Sequence, residues 1–76
     1  MNLGDAIRIT RQKAFYTQDD FAHELDVALS TVNRWELNKS KPNIKAMKSM
    51  KDFCDAHNLP YNDIEKEWFN NHSEGV

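Results

Sequence analysis

Thr17 to Glu36, TQDDFAHELDVALSTVNRWE, reads as two short helices joined by a tight turn. Thr17 is a good N-cap, and Asp20 three residues on makes a variant of the Ser/Thr-x-x-Glu capping box. Phe21, Ala22 and Leu25 then fall on one helical face, giving a first helix of about two turns that ends near Leu25. Asp tolerates left-handed backbone geometry better than most non-glycine residues. Asp26 and Val27 therefore form the turn, with the Val27 side chain beneath the corner. A second helix follows from Ala28 to Leu37, with Val32 and Trp35 facing inward and Leu29, Ser30, Asn33 and Arg34 outward. A short helix presenting Ser, Asn and Arg is suited to the DNA major groove.

These residues resemble the helix-turn-helix of the Cro/C1-type (XRE) family of phage and bacterial regulators. The features that match are Thr17-Gln18 opening the first helix, Ala22 at the helix crossing and Val27 after the turn. Thr31-Val32, Arg34-Trp35-Glu36 and the following Lys39-Ser40-Lys41-Pro42 continue the pattern. The similarity extends from about Leu3 to Ile64. It implies an all-α, five-helix, lambda-repressor-like domain over residues 1–71 that binds operator DNA, usually as a homodimer. The function so implied is that of a sequence-specific transcriptional regulator, a repressor working through the helix at 28–37 on an inverted-repeat operator.

The resemblance also assigns roles. Gln18 anchors a phosphate at the start of the first motif helix, and Lys39, Ser40 and Lys41 hold the DNA backbone. Ala28, Leu29, Ser30, Asn33 and Arg34 take the base-facing positions. Asn33 has the chemistry to pair bidentately with adenine, and Arg34 with guanine. Arg11 pairs with Glu36 and ties the first helix to the recognition helix. The chain departs from the family in several places. Thr10 stands where a leucine is usual, Phe15 where a glycine often closes the first helix, Asn38 where glycine often follows the recognition helix, and Lys51 where relatives often place alanine. Ala28 lacks the usual N-cap hydroxyl, and Leu29 replaces a common polar base reader; its apolar side chain suits a thymine methyl instead.

With 76 residues the chain makes one small domain with a modest core. At 39% hydrophobic and 29% charged it has the composition of a globular protein. No apolar run approaches a membrane span and MNLGDAIRITRQ has no signal-peptide pattern, so a cytoplasmic protein without a membrane partner is expected; the resemblance implies that it is encoded by a bacterium or phage. The net charge of −2 hides a strong polarity. Arg34 to Lys51 carries six basic residues against Glu36 alone, and Asp52 to Val76 carries six acidic residues against Lys66 alone. For nucleic-acid binding, that distribution matters more than the sum.

A first helix is expected from Leu3 to Ala14, capped by Asn2, with Leu3, Ala6, Ile7 and Thr10 inward and Tyr16 packing on Phe21 at the start of the next helix. Asn43 caps a fourth helix reaching about Asn58, with apolar positions at Ile44, Met47, Met50, Phe53, Cys54 and His57. Pro60 opens a last helix in which Tyr61, Ile64, Trp68 and Phe69 form an apolar stripe. Two large aromatics so near a terminus exceed what a closing helix needs, so Trp68 and Phe69 are assigned to a dimer interface. The stretch 72–76 reads as a disordered tail.

Cys54, the single cysteine, reads as a buried small hydrophobe, and His23, His57 and His72 have no metal-ligand spacing. Gly4 and Gly75 are the only glycines, so no phosphate-cradling loop exists. No metal, cofactor or enzymatic activity is expected. Two alternatives stand beside the repressor. One is an antitoxin that represses its own operon while its acidic C-terminal part or last helix binds a toxin, the protein partner otherwise being a co-regulator; the other is a protein-interaction module in which the helix-turn-helix is only a packing unit.

Overall fold

Over the described residues, 1–72, the computed structural model contains α1 (Leu3–Lys13), α2 (Gln18–Leu25), α3 (Leu29–Glu36), α4 (Ile44–Ala56) and α5 (Asn62–His72), with no strand. Each of the first four helices begins at a residue in extended backbone geometry, and at three of them the side chain closes the end. Asn2 accepts from the Asp5 amide at 2.8 Å and Asn43 from the Ala46 amide at 2.8 Å. Thr17 and Asp20 form both halves of a capping box, at 3.0 and 3.1 Å. Of these four starts, only Ala28 offers no side-chain cap.

Among the described residues four non-glycine residues take left-handed geometry, each just after a helix: Phe15, Asp26, Asn38 and Asn58, with φ between 56° and 60°. Three are Asp or Asn, which adopt it at little cost, whereas Phe15 is bulky and 93% exposed. The Asp26 corner lets the Val27 amide donate to Ala22 O at 2.9 Å and sets α3 across α2.

The core is drawn from every helix. Ile7, Phe21, Val32, Met50, Cys54 and Ile64 are fully buried, and Trp35 and Phe53 nearly so. Phe21 and Tyr16 each meet the Phe53 ring edge to face, at 5.0 and 5.1 Å between centroids, so Tyr16 reaches the core through α4. α2 packs on α3 and α4, while α1 lies against both α3 and α5. Gly4 is where α1 comes closest to the end of α3. A Cβ there would stand 2.5 Å from Glu36 O, so only glycine allows the crossing.

The structure differs from the sequence reading at Ile44 and at several helix ends: α1 stops at Lys13 and α4 at Ala56, and α5 opens at Asn62, two residues after Pro60. Ile44, expected in the core, is 68% exposed, because it lies on a second face of α4 with Met47, Lys48 and Lys51. The second helix of the Thr17–Glu36 stretch, α3, spans 29–36, with Ala28 and Leu37 as its flanking caps. α5 continues to His72, where the tail was expected to begin; the remainder of that tail, 73–76, lies outside the described residues.

Candidate nucleic-acid interface

α3 is held by its inner face and free on its outer one. Val32 and Trp35 are 0% and 3% exposed, so the helix cannot roll without breaking the core. Leu29, Ser30, Asn33 and Arg34, together with Ala28 just before the helix, are exposed on the far side.

Behind this face a chain of polar contacts runs to α1. Arg11 Nε donates to Glu36 Oε2 at 2.7 Å and Arg11 Nη2 to Glu36 Oε1 at 3.0 Å, a two-pronged pair whose side chains are 11% and 5% exposed. The third guanidinium nitrogen, Nη1, donates to Tyr16 O at 2.9 Å and so holds the α1–α2 connection as well. Gln18 Nε2 donates to Glu36 Oε1 at 3.0 Å, and Gln18 Oε1 accepts from Asn33 Nδ2 at 3.4 Å. Gln18 thus stands between the buried pair and the exposed face of α3. Among the described residues no buried side-chain polar atom lacks a partner.

The loop after α3 is fixed at both ends. Asn38, left-handed just after the Leu37 cap, accepts from the Gly4 amide at 2.9 Å through Oδ1 and donates to Asn2 Oδ1 at 3.1 Å. The Lys39 amide donates to Arg34 O at 2.9 Å, and Arg34 Nη2 reaches back to Lys39 O at 3.5 Å. Lys39 is exposed, and Ser40 and Lys41 are half-buried. At the far end Pro42 is fully buried, and its carbonyl accepts from Trp68 Nε1 at 2.7 Å. Lys41 Nζ sits 4.5 Å from the Trp68 ring centroid.

A second surface lies between α4 and α5: an open, mainly apolar groove of about 480 Å³. Ile44, Met47, Tyr61, Trp68 and Phe69 line it, with Lys48 and Lys51 from α4 and Glu65 from α5. Phe69 is 62% exposed, whereas Trp68 is half-buried. Tyr61 donates its hydroxyl to Met47 O at 3.1 Å, and burial pushes its pKa up to about 12. Burial likewise raises the Cys54 thiol to about 11, so it remains protonated at neutral pH. Among the described residues no three His, Cys, Asp or Glu side chains gather as a metal site, and no helix is long and apolar enough to cross a membrane.

Sequence reasoning missed the Gly4–Asn38 tie and the Trp68–Pro42 bond. The first had a signal, since Gly4 is a glycine inside a helical segment, which costs stability unless something must come close. The sequence pattern of a helix-turn-helix family matches residues 7–56, from within α1 to the end of α4. No curated protein and no solved structure matches the chain.

Proposed function

From the premise that the chain belongs to the Cro/C1-type (XRE) helix-turn-helix family of DNA-binding regulators, we propose that it is a sequence-specific transcriptional repressor of a bacterial or phage cytoplasm. In this reading α3 enters the major groove. Asn33 and Arg34 read base edges, Ser30 adds a short polar contact, and Leu29 and Ala28 meet thymine methyls. Gln18 at the N-terminus of α2 and the Lys39–Ser40–Lys41 loop bind phosphates on either side. A homodimer is formed through the α4–α5 groove.

The observation that carries the reading is the pairing of an exposed Ser30/Asn33/Arg34 face with a rigid backing. Side chains that discriminate bases must be held in place, and the Trp35 anchor and the Arg11–Glu36–Gln18 chain supply that support. A mere packing unit has no use for a polar face so firmly backed. Selection of bound duplexes from a random pool tests it, and a consensus should emerge. On the selected site, Asn33→Ala and Arg34→Ala should each cost about 1 to 3 kcal/mol while changing random-DNA binding less. Lys39→Ala should weaken both kinds of DNA and lower the salt dependence. A pool that yields no consensus would end the proposal, and equal losses on selected and random DNA for all three variants would undo the division of roles.

A further inference from the structure

Trp68 makes two contacts to the same dipeptide. Its indole N–H donates to the Pro42 carbonyl at 2.7 Å, and its ring face lies 4.5 Å from the Lys41 ammonium. Proline has no amide N–H, so the carbonyl is the one group through which the buried Pro42 backbone can be held by a hydrogen bond. The ammonium, drawn by the negative ring face, is confined to one region instead of sweeping through the rotamers of a free lysine. Lys39 is different, because its ties run to α3 through the Arg34 carbonyl and guanidinium. The basic loop is therefore held at one end by the recognition helix and at the other by α5, a helix that makes none of the proposed DNA contacts.

We propose that Trp68 is a positioning residue for DNA binding: it presets the Lys41 ammonium and the Pro42 backbone so that the loop meets phosphate without first being ordered. The inference rests on the DNA-binding reading above. Preorganisation of this kind strengthens binding by removing the entropy lost on ordering the contact, and it acts equally on all sequences because the contact is to phosphate. It also gives Trp68 a task inside one protomer, distinct from the exposed Phe69 beside it on α5.

The test is a double-mutant cycle on duplex binding with Trp68→Phe, Lys41→Ala and Lys39→Ala. Phenylalanine keeps an aromatic ring but removes the N–H. Trp68→Phe should weaken binding to selected and random duplexes by a similar factor. It should also lower the slope of log K against log salt by up to about 1 per protomer, the loss expected for one phosphate contact. Its effect should largely vanish in the Lys41→Ala background and add in full to Lys39→Ala. A general loosening of α5 would instead add to both lysine changes. Additivity with Lys41→Ala, or a Trp68→Phe or Lys41→Ala variant that binds like wild type, overturns the inference while leaving the DNA-binding reading intact. A wild-type protein that binds no duplex at low salt overturns both. If Trp68→Phe does not fold, the wild type carries the test by NMR. At saturating duplex the Trp68 indole N–H and the Lys41 ε-methylene resonances should move together, and an indole resonance that stays put while the loop amides shift overturns the inference.

Discussion

Glu36 accepts from both Arg11 and Gln18, so one buried carboxylate joins three helices at the back of the proposed reading face. Removing either Arg11 or Glu36 leaves a charge in a poorly solvated place. Each single alanine variant should therefore lose about 3 kcal/mol in urea denaturation, and the double variant less than the sum, since it strands no charge. Two single variants as stable as wild type would show that the pair contributes nothing net. The residues of this pair were readable as a family pattern, because both sit at fixed places in it. The Gly4–Asn38 tie was not, because it joins residues 34 apart whose meeting depends on how the end of α3 crosses α1. Phe15 shows the opposite limit. The sequence marks it as standing where relatives often have glycine, and the structure shows what replaces that glycine: a bulky residue in left-handed geometry with its ring in solvent.

At the scale of the element, α2 and α3 have the same length and opposite starts. α2 has a complete capping box, whereas α3 opens at Ala28, whose extended backbone is right for a cap and whose side chain cannot supply one. Ala28→Ser should add a hydroxyl acceptor for the first-turn amides and raise the stability by about 1 kcal/mol, read as a higher urea midpoint at unchanged m-value. An unchanged midpoint would mean that water already satisfies those amides as well. Caps and apolar periodicity made the helices legible: Thr17 and Asn43 begin α2 and α4 in the structure as they do in the sequence. Ile44 shows why periodicity alone is not enough. It is in phase with Met47 and Lys51 and lines the groove with them, while Ala46, Met47, Met50, Phe53 and Cys54 define the buried face, so Met47 stands where the two seams meet. A helix with two apolar seams gives one pattern in sequence, and only the placement of α5 separates them.

For the whole molecule, size sets the case for two copies. An eight-residue helix is about 12 Å long and spans only three or four base pairs, too few for discrimination against a genome of competing sites. The protomer measures 34 × 24 × 21 Å. A two-fold dimer that reads one face of the duplex is expected to set its α3 helices in successive major grooves, roughly 34 Å apart. The α4–α5 groove is suited to a two-fold contact. It is apolar, it presents Phe69 as a projecting side chain, and it has Lys48 and Lys51 on α4 opposite Glu65 on α5, so a rotated copy can set unlike charges against each other at the rim. Since Trp68 is engaged with Pro42, the change that probes this contact is Phe69→Glu, which keeps the Trp68–Pro42 donor and acceptor and the core residues while removing the ring that meets Trp68 edge to face at 5.1 Å. Phe69→Glu should keep wild-type helicity, run as a monomer in sedimentation, and lose most affinity for the selected site while binding random DNA through one protomer. The selected sites should be inverted repeats with half-sites centred about 10 base pairs apart. A folded Phe69→Glu variant that still dimerises would move the interface off this groove, and selected sites without inverted symmetry would rule out the two-fold dimer altogether.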